Sequence, residues 1–146
     1  MNRYGRTSLL VILGLTALIV CVIVIFLSGR ESLTSVGGRF MTALAAGDAP
    51  TLTSMTYMGT ESPEAVRKQW DEAVGMAGRY YNFTWRILGA DQADPRTGSV
   101  RLGVTRDVAA PGSYEQNYQL PLIKVGDEWK VDVRGISREM YPDLPQ

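Results

Sequence analysis

The sequence contains no histidine and a single cysteine, Cys21. Without histidine the chain lacks the commonest general acid–base group and the commonest metal ligand, and Ser-His-Asp and Cys-His arrangements within it are excluded. One cysteine excludes an internal disulfide, so a folded domain has to be held by its apolar core alone. Charge of one sign is not in excess either, since 15 basic residues balance 15 acidic ones. Arg3 and Arg6 stand near the start, which leaves the rest slightly acidic and without the footprint of a nucleic-acid binder. There is no phosphate-cradling glycine loop. Asp91-Gln92-Ala93-Asp94 brings oxygen ligands close together but lacks the glycine and terminal glutamate of a calcium site, and reads as a loop with two acidic residues. The sequence therefore points to no metal, no cofactor and no catalytic residue.

What is present first is Leu9 to Leu27, a run of 19 residues without a charge. As a helix it would measure roughly 28 Å, close to the hydrocarbon thickness of a bilayer. The run is longer than the apolar core of a secretion signal, and Leu27 occupies the first position of what would be a small-x-small cleavage site, so it reads as an uncleaved anchor. Arg3 and Arg6 precede it, whereas Arg30 is followed at once by Glu31, and the positive-inside bias then places the N-terminus in the cytoplasm. The expected organisation is a cytoplasmic N-terminus over 1–8, a transmembrane helix over 9–28, a juncture over 29–32, one extracytoplasmic domain over 33–137 and a C-terminal tail over 138–146. The localisation that follows is the cytoplasmic membrane, single-pass, with the lipid bilayer as partner of Leu9 to Leu27.

Beyond the anchor the period is first helical and then alternating. Leu33, Val36, Phe40 and Leu44 fall on one helical face, and Gly47 is placed to end that helix. Gly37-Gly38 weakens it unless a close contact with the sheet requires the pair. Asp48 is an N-cap for a short second helix through Pro50, Leu52 and Met55. Ser62-Pro63-Glu64 opens a third, with Val66, Trp70, Val74 and Ala77 as its apolar stripe and Gly78 as its stop. From Tyr80 the period is two: Tyr81, Phe83, Trp85 and Ile87 alternate with polar residues, and Val100, Leu102 and Val104 do so after the turn Asp94 to Gly98. A third strand covers Tyr114 to Val125, with Pro121 marking an edge or a bulge. Gly126-Asp127 turns the chain into a fourth, through Trp129, Val131 and Val133. The segment from Ser137 to Gln146, with Pro142 and Pro145, reads as loop. Three helices followed by a four-stranded meander is an α+β order, with the helix stripes laid over the apolar face of a curved antiparallel sheet.

Phe40-Met41-Thr42-Ala43-Leu44-Ala45-Ala46-Gly47-Asp48-Ala49 resembles the F-x-x-A-L-x-x-G-D opening of nuclear transport factor 2-like domains. Tyr118 to Leu122 and Gly126 to Val131 resemble their closing hairpin. The resemblance covers Val36 to about Ile136 and implies a cone, a strongly bent sheet covered by helices, in a superfamily that holds enzymes, binding modules and membrane-anchored assembly domains. Its enzymes set an aspartate, often with histidine or tyrosine, in the mouth of the cone; this chain has no histidine, and neither Asp91, Asp107 nor Asp132 matches such a motif.

Two functions from different classes follow. One is a non-catalytic interaction or scaffold domain, an accessory subunit of a membrane or envelope complex, in contact with a protein partner or with itself through Arg86, Arg101, Thr105, Asn117 and Gln119 on the outer sheet face or Arg39 on the first helix. The other is a small-ligand pocket, binding or weakly catalytic, formed by Tyr57, Trp70, Tyr81, Trp85, Gln116 and Tyr118. Aromatic stripes of this kind usually pack as core, which favours the first.

Overall fold

The computed structural model describes residues 31–146. The Leu9 to Leu27 run lies outside the described residues, and with it the expected span, its orientation and its contact with the bilayer. Among the described residues no helix is long and apolar enough to cross a membrane.

Helix α1 covers Leu33–Ala46, α2 Ala49–Met55 and α3 Pro63–Ala77. Their limits are set by local chemistry. Ser32, Asp48 and Ser62 each accept a hydrogen bond from the backbone N–H three residues on, which satisfies one of the donors that a helix start leaves open. Gly47 ends α1 at φ +66°, a left-handed conformation in which its N–H reaches the carbonyls of Ala43 and Leu44.

Five strands follow in the sheet order β1-β5-β4-β3-β2, with β1 at Thr56–Tyr57, β2 at Phe83–Asp94, β3 at Thr97–Arg106, β4 at Glu115–Val125 and β5 at Glu128–Asp132. β2 to β5 form the expected antiparallel meander. The additional strand is β1, two residues between α2 and α3 that pair in parallel with β5, Thr56 opposite Val131 and Tyr57 opposite Asp132. A two-residue segment carries no period, so only its tertiary pairing defines it. β2 also runs on through Asp91 to Asp94, where a loop was expected, and a register shift between Ile87 and Gly89 leaves Leu88 as an extra residue. At its end Asp94 Oδ1 accepts from the N–H groups of Arg96 and Thr97 at 2.7 and 2.8 Å, closing a tight turn.

Pro121 lies neither on an edge strand nor in a bulge. β4 is central, and Pro121 pairs with Ser99 of β3 one residue before the β4–β5 ladder begins at Leu122. Its missing N–H coincides with the place where the chain leaves β5 for a single 3-10 turn, Val133–Gly135. A Cβ on Gly135 would stand 2.7 Å from the proline ring, so the glycine permits that turn to lie against it.

The helices cover one face of the sheet. Val36, Phe40 and Leu44 of α1 and Val66, Trp70, Ala73 and Ala77 of α3 are buried against Val100, Leu102 and Val104 of β3, Leu120 and Leu122 of β4 and Val131 of β5. Trp70 is 0% exposed; its ring meets Phe40 edge-on at 5.9 Å and its indole N–H donates to Thr56 Oγ1 at 2.9 Å. The tail has no helix or strand, in keeping with a loop, yet it is part of the core: Met140, Tyr141 and Leu144 are all buried. Residues Ser32–Gln146 thus make one unit.

The glycine pair of α1 divides in two. A Cβ on Gly37 would come within 3.0 to 3.2 Å of three side-chain atoms of Val100, whereas on Gly38 it would meet only Ile87 Cδ1 at 3.7 Å. Gly37 is therefore the point of close helix–sheet approach, and Gly38 only weakens the helix. Gly38→Ala is expected to stabilise the domain by about 0.5–1 kcal/mol, and Gly37→Val to destabilise it by about 1–3 kcal/mol, in denaturant unfolding. Equal effects of the two would contradict this division.

Candidate functional site

The apolar face of the sheet does not stay apolar along its whole length. On β3 the alternation Val100, Leu102, Val104 continues to Arg106, and on β4 Leu120 and Tyr118 continue to Gln116. These polar residues stand at the end of the sheet where β3 and β4 are joined by the 107–114 loop. Arg106 Nη2 donates to Gln116 Oε1 at 2.5 Å, and the Tyr118 hydroxyl donates to the same oxygen at 2.8 Å. Gln116 Nε2 in turn donates to the Tyr114 hydroxyl at 3.3 Å.

Beside this network the C-terminal tail closes the aromatic end of the core. The Tyr81 hydroxyl donates to the carbonyl of Met140, and the Tyr141 ring stands edge-on to both Tyr81 and Phe83, at 5.3 and 6.0 Å. Gln146 N donates to Gln69 Oε1 of α3 at 2.8 Å, which ties down the last residue. Burial pushes the phenols of Tyr81 and Tyr141 up to about 12; at Tyr81 it prevails over the opposing pull of the Arg106 guanidinium. Both folded values lie above the ordinary 10, so the native state holds these protons longer than the unfolded chain. The stability they contribute is complete below pH 10 and is lost as pH rises from about 10 to about 12. The melting temperature is expected to fall across that window while phenolate absorbance lags for two tyrosines. Titration of every tyrosine as in free solution would remove this description of the tail.

The six residues expected to line a pocket are only partly brought together. Tyr81, Gln116 and Tyr118 belong to this end of the sheet, with Trp85 half-buried on the inner face of β2, opposite Val104. Trp70 is instead a core residue against Phe40 and Thr56. Tyr57 lies on β1, at the sheet edge opposite β2. Arg106 and Tyr141 belong to the cluster and were not among the expected residues. The signal for Arg106 was in the alternation itself, which leaves an arginine on the apolar side; nothing local marks Tyr141.

The outer face gathers Arg86, Arg101, Thr105, Asn117 and Gln119 as the alternation requires, and strand pairing sets Arg101 opposite Gln119. The two arginines have carboxylates of their own. Arg86 meets Glu115 through Nε and Nη2 at 2.7 and 2.8 Å, and this guanidinium holds the Glu115 carboxyl below the usual carboxylate range. A Cβ on Gly103 would stand 2.5 Å from Glu115 Cδ, so the missing side chain lets the pair lie flat on the sheet. Arg101 Nε lies 3.3 Å from Asp91 Oδ2 and passes over Gly89 in the same way. Arg39 belongs to another layer, on α1, beside a groove of about 410 Å³ that Gly38, Thr42, Ala46 and Asp48 also line. Among the described residues no three carboxylate or thiol groups converge as a metal site would need.

No family model matches the chain, and no curated protein matches it either. Among solved structures, a SEC-C motif containing protein from Rhodopseudomonas palustris is similar with a TM-score of 0.52 and 14% identity over 73% of this chain and 81% of that one. A ketosteroid isomerase-like protein from Erwinia carotovora atroseptica aligns with a TM-score of 0.47 and 18% identity, over 68% of this chain and 87% of that one. An NTF-2 like protein of unknown function from Shewanella oneidensis gives 0.43 and 12%, over 66% and 88%. Three helices on a five-stranded sheet, with Phe40 to Ala49 joining α1 to α2 and Tyr118 to Val131 forming the closing hairpin, fit the resemblance carried by those segments. The fold shared with the Rhodopseudomonas palustris protein is α+β, three helices on a five-stranded sheet. At such identities the likeness is one of fold alone, and no residue role passes across it. Two features distinguish this domain: a tail buried against the aromatic end of the core, and a half-buried arginine where β3 leaves the sheet.

Proposed function

We propose that the chain is a non-catalytic interaction module, a single-pass accessory or scaffold subunit displayed outside the cytoplasmic membrane by the Leu9 to Leu27 anchor. The observation that carries this reading is the closed aromatic end of the core: Met140, Tyr141 and Leu144 of the chain's own tail are buried there. Absence of histidine from the sequence points the same way. A second reading, a small-ligand pocket, is favoured by the network of Arg106, Gln116 and Tyr118 beside the tail.

Native mass measurement after mild detergent extraction separates the two. The expected result is the chain together with protein subunits, its own copies or others. One chain with a retained small molecule would instead establish the pocket. In the same preparation of cells, protease outside intact spheroplasts should remove the domain and leave the N-terminal end protected; protection of the entire chain would reverse the orientation.

A further inference from the structure

Of the described arginines, Arg106 alone is not exposed. Arg67, Arg86, Arg101 and Arg134 each have a carboxylate within ion-pair distance, at 3.1, 2.7, 3.3 and 3.7 Å. Arg106 has none among the described residues. Its side-chain hydrogen bond goes to a neutral oxygen, Gln116 Oε1. Asp107 follows it directly, but a left-handed backbone at φ +48° turns the chain there, and the two side chains form no ion pair. An arginine cannot shed its proton, and withdrawing its charge from water is unfavourable unless an anion compensates.

The same end of the sheet carries large apolar side chains in water. Tyr114, bound to Gln116, is 69% exposed, and Val108, two residues beyond Arg106, is 52% exposed. Tyr80 is 61% exposed; the stretch it opens is tied to the 107–114 loop by the bond from Asp107 N to the Asn82 carbonyl, 3.0 Å. A half-buried guanidinium with unused N–H groups, rimmed by aromatic and aliphatic surface, matches a carboxylate carried on an apolar body: the planar donors take the two oxygens and the rim takes the body.

We infer that Arg106, with Tyr114, Gln116 and Tyr118, is a recognition site for such a carboxylate. This deepens the interaction reading and rests on it for the source of the carboxylate, an acidic side chain of a partner; a free aromatic acid has the same chemistry. The site is distinct from the outer-face arginines, which are already paired within the chain.

Calorimetric titration of the full chain in detergent tests this with two pairs of probes: phenylacetate against phenylacetamide, and acetyl-Phe-Asp-Phe-amide against its Asn counterpart. The charged member of at least one pair is expected to bind tenfold or more tighter than the neutral one. Arg106→Gln should erase that preference and Arg86→Gln should leave it intact. Preference in the peptide pair assigns the site to a protein carboxylate, and preference in the phenylacetate pair alone assigns it to a free acid. Equal binding of charged and neutral probes by the wild type, or no binding of either, overturns the inference without any variant having to fold. The interaction reading fails separately, if the extracted wild type has the mass of one chain while the tenfold preference for phenylacetate stands.

Discussion

Trp70→Ala is expected to destabilise the domain by about 3–5 kcal/mol, the range for emptying a fully buried aromatic site. The ring is wholly enclosed, stands edge-on to Phe40, and satisfies its only polar atom on Thr56. Removing it opens a cavity between α1 and α3 and leaves the Thr56 hydroxyl without this donor. Net stabilities of domains lie near 5–15 kcal/mol, and with no disulfide to restrain the unfolded chain such a loss approaches the whole. Trp70→Phe keeps most of the apolar contact and loses the hydrogen bond, so it should cost only about 1–2 kcal/mol. Urea unfolding of the two variants checks the order; near-wild-type stability of Trp70→Ala would mean that the ring does not pack as described.

Deleting residues 138–146 is expected to abolish cooperative unfolding. Burial of side chains the size of Met140 and Leu144 contributes about 1.5–3 kcal/mol each, and Tyr141 adds its contacts with Tyr81 and Phe83. Their loss uncovers the aromatic end of the core. The shortened chain should bind a hydrophobic dye and lose its near-ultraviolet circular dichroism while keeping far-ultraviolet signal. A sharp melting transition within a few degrees of the full chain would show that the tail merely rests on the surface.

The parts of the fold that could be read from the sequence are those with local causes. Ser62 followed by Pro63, Asp48 before Pro50, and Gly47 announce helix ends through backbone donors and a positive φ, and each stands where it was expected. Alternation from Tyr81 to Val133 reports a sheet with one wet face. What was hidden depends on partners far away in the chain. β1 exists only because Thr56 meets Val131, and the tail is ordered by bonds spanning 59 residues to Tyr81 and 77 to Gln69. Trp70 was legible as part of the α3 stripe, but its partners, Phe40 of α1 and Thr56 of β1, were not. The outer face was legible as a set of residues and not as pairs: that Arg86 reaches Glu115 follows from a register placing both beside Gly103.

β2 has a further consequence for the chain at high concentration. Its 12 residues form one edge of the sheet, and an edge of that length offers unpaired backbone groups to any second strand that meets it. The extra residue at Leu88 interrupts the repeat near the middle of the strand, Arg86 projects a charge before it, and Asp91 and Asp94 follow. A second copy brought edge to edge would have to match the offset in register that Leu88 introduces. Growth of a continuous sheet from molecule to molecule is thereby discouraged without a covering element.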